Sequence, residues 1–442
     1  MTNEDTIYAL ASAAGKAGVA VFRISGIAAA KAIEMLCEPD HLPLPRRASL
    51  REIKHPLSGD ILDKALVLYF NAPHSFTGED VVEFHTHGGR AVTQAILDSL
   101  KELPNFRMAR AGEFTRRAFE NGKMDLTEAE AIADLVHAET EAQRKQALRQ
   151  MSGALGALYE EWHSQLAHRM AYMEAAIDFS EEELPSDMFE KQNAGLKTLR
   201  EMISKHLNDN HRGERLREGF SVAILGPPNA GKSSLLNALA KRDAAIVSPT
   251  AGTTRDVIEI HLDIAGYPVT IADTAGLRES ADAIENEGVR RALARALEAD
   301  LTLLVFDGAT WPLLDKATQA LIGPDSLVLV NKSDLFETKA QKGDFIFISA
   351  QNGTGIDEII QKLATEFSHR WSDNGSPPLT RARHRAALEE CVSHLDRALQ
   401  AVMADQRAED VRLAMRALGR ITGRVDVEDL LDIIFRDFCI GK

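Results

Sequence analysis

The stretch GPPNAGKSS at residues 226–234 decides the fold of the central part of this sequence. It follows an apolar run, SVAIL at 221–225, and precedes a segment with helix-forming residues. Glycines at this spacing between a strand and a helix let backbone N–H groups surround phosphate oxygens at the helix N-terminus. We therefore predict a P-loop in which Lys232 neutralises phosphate charge and Ser233 ligates magnesium.

Further apolar runs follow this loop and extend the strand pattern. They are PVTIA (268–272), LTLLVF (301–306), SLVLV (326–330) and FIFIS (345–349). Continuous apolar runs separated by helical segments are typical of strands that are buried on both faces of a mostly parallel sheet. Residues 217–366 are therefore predicted to form an α/β nucleotide-binding domain.

Three short motifs follow the predicted strands in the order that a GTPase requires. DTAG (273–276) offers Asp273 to the magnesium shell and the Gly276 amide to a γ-phosphate. In NKSD (331–334), Asp334 would accept hydrogen bonds from two guanine donors that adenine does not present together, and SAQ (349–351) would lie behind the guanine oxygen. This order favours GTP over ATP. The nucleotide contacts expected from the four motifs are Asn229, Ala230, Gly231, Lys232, Ser233, Ser234, Asp273, Thr274, Ala275, Gly276, Asn331, Lys332, Asp334, Ser349 and Ala350.

The motifs described so far do not identify the residue that orients the attacking water. The position after DTAG is Leu277, which can neither orient nor polarise water. The candidates on the following segment are Arg278, Glu279, Asp282 and Glu285, and Arg255 is an alternative as an internal arginine finger.

The segments on either side of the α/β region predict two other kinds of domain. Residues 6–120 alternate short β-type runs with one helix-like stretch at 91–100, which favours a small α+β domain. Thr127 and Glu130 in TEAE predict a capping box, and apolar residues then recur every three or four positions from Leu148 to Ile177, as on one face of a long helix.

Helical sequence also returns after a linker at 371–380. The economical explanation is a helical domain with a nucleotide-binding domain inserted into it. We therefore predict a multidomain α/β protein with the divisions 1–120, 121–216, 217–366 and 367–442, in which the second and fourth segments form an all-α bundle.

Composition and charge narrow the class of protein. The 442 residues are 45% apolar and 26% charged, as in ordinary globular proteins, and no apolar stretch is long enough to predict a membrane span. Three cysteines without a CxxC pair predict a reduced, cytoplasmic protein. The net charge of −15 excludes a strong cationic hold on nucleic acid by this chain alone. Residues 121–366 carry −14 of that charge, so the two ends are nearly neutral.

Three longer segments carry a resemblance to a known family. They are AIVSPTAGTTRD (245–256), AGEFTRRAFENGKMDLTEAEAIADL (111–135) and FCIGK (438–442). Together with the P-loop they look like the MnmE (TrmE) tRNA modification GTPases, over essentially the whole chain. The resemblance implies that the inserted domain is Ras-like and that the N-terminal domain is similar to folate-binding enzymes.

The resemblance also implies metal and catalytic residues. A potassium ion beside the phosphates would be held by Asn229, Ser248, Thr250 and Thr253, and would stand in for an arginine finger. Magnesium would be held by Ser233 and Thr254. The family's water-orienting acid falls on Glu285. Ser248, Thr253 and Thr254 thereby join the expected GTP contacts.

For the N-terminal domain, the resemblance implies a 5-formyltetrahydrofolate-type one-carbon carrier and dimerisation. The matching folate residues are Arg23, Glu83, Lys123 and Lys442. Cys439 would take part in the modification chemistry, although a buried structural thiol is an equal alternative. His85 and His87 share a face of a predicted strand, and a metal pair there is a further alternative to simple packing.

The implied reaction installs a carboxymethylaminomethyl or aminomethyl group at C5 of a wobble uridine in certain tRNAs. The family works with MnmG (GidA), a flavoprotein that carries the FAD, and this chain has no GxGxxG fingerprint opening a βαβ unit. Two alternatives stay open: a GTP-dependent ribosome-assembly or RNA-binding factor, and a scaffold that binds folate and nucleotide without chemistry.

Overall fold

The computed structural model describes most of the chain in two compact units. The described residues are 5–178, 188–242, 259–273, 299–335, 344–371, 377–425, 428–436 and 438–441. The first unit comprises residues 1–133, 150–196 and 393–442, and the second comprises residues 134–149 and 197–392.

A seven-stranded sheet forms the N-terminal part of the first unit. In the order β3-β4-β5-β6-β2-β1-β7, all neighbours are antiparallel except β1 and β7. Side chains alternate along β6, so Val82 and Phe84 are fully buried whereas Glu83 and His85 lie on the other face. The strands are β1 (Thr6–Leu10), β2 (Ala17–Ser25), β3 (Cys37–Glu38), β4 (Ser49–Lys54), β5 (Ile61–Phe70), β6 (Val81–Gly88) and β7 (Phe106–Met108).

Three helices accompany this sheet, so the prediction of a single helix in residues 6–120 was wrong. They are α1 (Ala29–Leu36), α2 (Arg90–Lys101) and α3 (Glu113–Glu120). α1 buries Ala29, Ala32, Ile33 and Leu36, which is a helical period built largely from alanine. Because alanine carries little apolar surface, the helical spacing of apolar residues is hard to see in the sequence, although these side chains are buried in the structure.

Helices follow the N-terminal sheet, and two details differ from the sequence prediction. The capping box uses Asp125 and Glu128: the Glu128 N–H donates to Asp125 Oδ1 at 2.9 Å, and the Asp125 N–H donates to Glu128 Oε2 at 2.7 Å. The predicted Thr127–Glu130 box was wrong because the helix begins two residues earlier. The helices are α4 (Leu126–His137), α5 (Glu141–Met151), α6 (Ala154–Asp178), α7 (Met188–Leu207) and α8 (Arg212–Glu218).

The apolar stripe from Leu148 to Ile177 belongs to two helices instead of one. Gly153 lies between α5 and α6 in the left-handed region, with φ +81°. The stripe continues in α6, where Leu155, Trp162 and Leu166 are buried. The break therefore divides the predicted long helix without removing its apolar face.

A six-stranded, mostly parallel sheet forms the core of the second unit. Its order is β13-β12-β11-β8-β10-β9, with only the β9–β10 pair antiparallel. The strands are β8 (Phe220–Leu225), β9 (Glu259–Ile264), β10 (Tyr267–Asp273), β11 (Leu301–Asp307), β12 (Ser326–Asn331) and β13 (Phe345–Phe347). The helices between or after them are α9 (Lys232–Ala240), α10 (Lys316–Gln319) and α11 (Ile356–Arg370).

The predicted buried runs of this sheet are confirmed. Leu303 and Val305 of β11 and Leu329 of β12 are fully buried in one apolar cluster with β8 and α11. The carboxyl ends of β8, β11 and β12 lie side by side, which is where ligands bind in open α/β sheets. The sheet thus positions the loops that follow these strands.

The C-terminal helices return to the first unit. They are α12 (Ala382–Gln400), which begins in the second unit, α13 (Ala404–Thr422) and α14 (Glu428–Arg436). Phe435 and Phe438 pack against Leu126 and Ala129, and Ile440 pairs with Ala111 through an antiparallel bridge. Within the described part of the chain, no helix is long and apolar enough to cross a membrane.

Candidate nucleotide-binding site

The loop after β8 requires glycine at two positions. Gly226 has φ +155° and Gly231 has φ +91°. A Cβ atom on Gly226 would overlap the carbonyl oxygen of Val305, and one on Gly231 would overlap the side-chain amide of Asn331. The spacing seen in the sequence therefore reflects close approach of β11 and of the carboxyl end of β12 to the P-loop.

Lys232 is the first residue of α9, and its side chain turns back into the loop. Its Nζ donates to the carbonyl oxygens of Gly226 at 2.9 Å and Pro227 at 3.0 Å. The positive charge thus lies within the P-loop, beside the N-terminus of α9. An anion placed there would meet both the ammonium group and the positive end of the helix dipole.

Asn331 joins the three predicted nucleotide loops. Its Nδ2 donates to the carbonyl oxygen of Ala230 at 2.8 Å, and its Oδ1 accepts from the N–H of Ala350 at 3.0 Å. The side chain is almost fully buried, with 3% exposure. One amide therefore ties the NKSD segment to the P-loop on one side and to the SAQ segment on the other.

Lys332 is held by a carboxylate that the sequence analysis did not single out. Its Nζ lies 2.6 Å from Asp307 Oδ2, at the carboxyl end of β11. Burial raises the pKa of Asp307, but the hydrogen bonds from Lys332 and from the backbone N–H of Ala309 outweigh it, so the pKa lies below its usual value. A polar residue directly after a buried parallel strand was the signal that could have found Asp307.

Asp334 and Ser349 differ in exposure. Asp334 is exposed, so its carboxylate is open to a ligand. Ser349 is fully buried, and its N–H donates to the carbonyl oxygen of Thr354 at 3.0 Å. The Ser333 N–H donates to the carbonyl oxygen of Ile348 at 2.9 Å, which fixes the NKSD segment against the strand end before SAQ.

Part of the predicted site lies outside the described residues. This holds for Ser248, Thr250, Thr253, Thr254, Thr274, Ala275, Gly276, Glu285 and Lys442, for the alternatives Arg255, Arg278, Glu279 and Asp282, and for the side chain of Asp273. The described part brings together the P-loop, NKSD and SAQ residues, of which Asn229, Ser233 and Ser234 are exposed.

A second cluster surrounds Arg23 in the N-terminal sheet. Its Nε donates to Glu83 Oε1 at 3.0 Å across the β2–β6 pair, where the two residues are register partners. The guanidinium lies 5.5 Å from the ring centre of Phe76 and 5.9 Å from that of Phe114. Two aromatic rings thus flank an arginine whose terminal nitrogens make no hydrogen bond within the described chain.

The other N-terminal candidates contact the segments that carry Phe76 and Phe114. Lys123 Nζ donates to the carbonyl oxygen of Pro73 at 3.0 Å, in the loop that also carries Phe76. Cys439 is exposed, and its carbonyl oxygen accepts from the N–H of Gly112, two residues before Phe114. The alternative of a buried structural thiol at Cys439 was therefore wrong.

The histidine pair on β6 has acidic partners. His85 Nε2 lies 3.1 Å from Glu83, and His87 Nδ1 lies 2.8 Å from Asp63. Among the residues that the structure describes, no cluster of three or more metal-ligating side chains occurs. These contacts favour the packing interpretation over the metal pair.

The sheet and the three loops that Asn331 joins, the P-loop, NKSD and SAQ, define the class: a guanine-nucleotide-binding P-loop protein of the GTPase fold. Family models match residues 6–123, described as the N-terminus of the GTP-binding protein TrmE, and residues 126–439, described as the MnmE helical domain. The chain belongs to the MnmE family of tRNA modification GTPases.

Full-length relatives agree with the family models. The tRNA modification GTPase MnmE of Paramagnetospirillum magneticum is 54% identical, over 99% of this chain and 100% of its own length. That of Parvibaculum lavamentivorans is 56% identical over the same shares. The mitochondrial 5-taurinomethyluridine tRNA synthase subunit GTPB3 of Homo sapiens is 45% identical, over 99% of this chain and 93% of its own length.

Proposed function

We propose that this chain hydrolyses GTP as part of a tRNA wobble-uridine modification, with guanine held by Asp334 and phosphates held by the P-loop and Lys232. The observation that supports the proposal is the pair of hydrogen bonds that Asn331 makes, as donor to the Ala230 carbonyl and as acceptor from the Ala350 N–H, because they hold the P-loop, NKSD and SAQ segments together. Ala230, Gly231 and Ser234 would line the phosphate site. Asn331, Lys332, Ser349 and Ala350 would surround the base.

Two metal ions belong to the proposed site. Ser233 with Thr254 would hold magnesium, and Asn229 with Ser248, Thr250 and Thr253 would hold potassium. The described members fit, since Asn229 and Ser233 present exposed oxygen-bearing side chains beside the N-terminus of α9. When bound, these cations offset negative charge on the phosphates. Asp273, Thr274, Ala275 and Gly276 would complete the γ-phosphate side.

Glu285 is proposed to orient the attacking water because the family's water-orienting acid falls at this position, and because Leu277 has no group that can take this role. Glu285→Ala should retain GTP affinity and lose at least tenfold in turnover. Glu279→Ala is the matched control on the same segment. Equal turnover of Glu285→Ala and the unchanged chain would exclude Glu285 from the mechanism.

The N-terminal cluster is proposed to bind a 5-formyltetrahydrofolate-type carrier. The terminal nitrogens of Arg23, which make no hydrogen bond with the residues that the structure describes, and the two flanking rings suit a planar ligand that carries hydrogen-bond acceptors. Glu83 would hold Arg23 in place, and Lys123 and Lys442 would add positive charge. Cys439, exposed beside Gly112, would act in the modification chemistry.

The wider setting is also proposed from the family. The chain would act on tRNA in the cytoplasm with the flavoprotein MnmG (GidA), which would carry FAD, and would dimerise through residues 1–120. We further propose that residues 121–216 and 367–442 belong to one helical domain that is interrupted by the GTPase domain at 217–366. Reduced thiols at Cys37, Cys391 and Cys439 are compatible with this location.

Nucleoside mass spectrometry of tRNA tests the reaction. Deleting the gene should remove the carboxymethylaminomethyl or aminomethyl group from wobble uridines, and normal wobble uridines would exclude the proposal.

Replacing potassium by sodium should slow GTP hydrolysis sharply, and equal rates would exclude the potassium site. Cys439→Ser should stop modification while GTP hydrolysis continues; intact modification would support a scaffold instead.

A further inference from the structure

A cavity of about 190 Å³ lies within the second unit, away from the P-loop motifs. It is lined by α5, by α8, and by residues at the start of β8 and the end of α11. Phe220 begins β8 and Trp371 follows α11, so the lining includes both ends of the α/β region. None of the proposed nucleotide or folate residues lines this cavity.

Aromatic rings form one wall of the cavity. The ring centres of Phe220 and Trp371 lie 4.6 Å apart, and those of Phe220 and Tyr267 lie 5.7 Å apart. Phe367 packs against the same group, with its ring centre 5.0 Å from that of Phe220. Because the rings support one another, the wall is a fixed apolar surface that suits a flat, apolar ligand.

The charged residues that line the cavity all have the same sign. They are Lys145 and Arg149 of α5 and Arg212 of α8, and among the described lining residues there is no carboxylate. Lys145 lies 3.4 Å from Glu141, but both side chains are more than half exposed, so this pair neutralises little of the charge. Arg149 and Arg212 also interact with other residues of the chain, so Lys145 is the cation that an anionic group in the cavity would meet.

Two lining residues also have a buried polar atom without a hydrogen-bond partner in the described chain. Trp371 is 5% exposed, and its indole Nε1–H makes no hydrogen bond. Gln146 uses its Nε2 to donate to the carbonyl oxygen of Gly213 at 3.1 Å, but its Oε1 accepts nothing. A buried donor and a buried acceptor that stay unpaired cost free energy, which a ligand with matching groups would recover.

We propose that this cavity is a binding site for a small aromatic carboxylate that also carries a hydroxyl or amine donor. The ring would lie against the aromatic wall, the carboxylate would accept from Trp371 Nε1 and meet the positive charge of Lys145, and the donor would reach Gln146 Oε1. This site is additional to the proposed GTPase and tRNA functions and does not depend on them.

The test uses 6-hydroxy-2-naphthoate as the probe and the full-length protein labelled with nitrogen-15. The chain has three tryptophans, so the indole N–H signal of Trp371 can be assigned with Trp371→Phe, or by elimination with Trp162→Phe and Trp311→Phe. GDP and magnesium are kept in excess to fill the nucleotide site. The Trp371 signal should shift saturably, with a dissociation constant on the order of 1 mM, as expected for a ligand of this size.

Matched probes and variants separate the proposed contacts. 2-Naphthol, which lacks the carboxylate, should bind at least fivefold more weakly, and Lys145→Gln should weaken 6-hydroxy-2-naphthoate about threefold. Lys205→Gln, an exposed lysine that does not line the cavity, should change nothing. The absence of a saturable Trp371 shift, or equal affinity for 2-naphthol, would overturn the proposal.

Discussion

The side-chain amide of Asn331 donates to the carbonyl oxygen of Ala230 at 2.8 Å, although the two residues are 101 positions apart in the chain. Asn331 therefore connects two loops before it contacts any ligand. Its other hydrogen bond, with the Ala350 N–H, adds a third loop. One buried amide thus joins the described P-loop, NKSD and SAQ segments.

The first prediction removes this connection. Asn331→Ala deletes both hydrogen bonds and leaves the Ala230 carbonyl and the Ala350 N–H without that partner, so binding should weaken by about 2 kcal/mol, or roughly 30-fold in affinity. Titration with a fluorescent GDP analogue measures this. Asn71→Ala, in the N-terminal domain, is the control and should leave the affinity unchanged. An Asn331→Ala affinity within twofold of the unchanged chain would contradict the prediction.

The second prediction concerns Asp307 as a positioning residue for Lys332. Asp307→Asn replaces the ion pair with Lys332 by a hydrogen bond from the same ammonium group to a neutral oxygen, which should cost about 1 kcal/mol, or roughly fivefold in nucleotide affinity. The same titration applies. Asp357→Asn breaks an exposed ion pair with Arg242 in the same domain and should have no effect on the affinity. If both variants weaken binding equally, the effect of Asp307 is not specific to Lys332.

The third prediction concerns Arg117, which is 1% exposed in the N-terminal domain. Its Nη2 lies 2.7 Å from Asp5 Oδ1, and its Nη1 lies 3.2 Å from Glu79 Oε2. Arg117→Ala leaves these carboxylates without their buried partner and should lower the free energy of opening by about 3 kcal/mol. Hydrogen exchange of peptides covering β1 and β6 measures the loss. Exposed Arg110→Ala is the control; protection equal to that control would refute the assigned role.

The fourth prediction concerns pH and His206 at the end of α7. Burial lowers the pKa of His206 to about 4; Asp209 opposes the shift, and Arg385 and Arg212 add to it. A histidine in an unfolded chain has a pKa of about 6.5. Between about pH 4 and 6.5 the unfolded chain therefore binds more protons than the folded chain. Stability should therefore fall as the pH drops from about 6.5 to 4, by at most roughly 3 kcal/mol.

Unfolding by urea at pH 7, 6 and 5 measures this dependence. His206→Gln should show a smaller loss over the same range, because it removes the titrating group. Exposed His41→Gln should retain the full loss. Identical pH dependence of His206→Gln and the unchanged chain would show that His206 does not carry the effect.

The sequence predicts the α/β region well because each buried parallel strand is a continuous apolar run, as LTLLVF is in β11. It predicts the P-loop for the same reason that the structure needs it, namely that Gly226 and Gly231 allow no side chain. The exact residue at which a helix begins was harder to predict. Asp125 and Thr127 can both cap a helix, and only the packing of the segment selects Asp125.

Contacts between distant segments could not be read from the sequence. Asp307 reaches Lys332 across two neighbouring strands, and Phe76 and Phe114 reach Arg23 from separate segments. The local sequence marks some of these residues as belonging to motifs or strand ends, but it does not show which of them contact one another. Their roles arise from strand order and from the path of the chain, which the local pattern does not contain.

The docking of the segment Phe438–Gly441 has a consequence for the order in which the protein is made. A Cβ atom at Gly441 would come within 2.5 Å of the Leu10 carbonyl oxygen, so two segments that are far apart in the chain lie against each other. The N-terminal sheet can fold while synthesis continues, but the surroundings of Cys439 form only after residues 438–441 have left the ribosome. A chain that stops before Phe438 would therefore carry a folded nucleotide domain without the surroundings of Cys439.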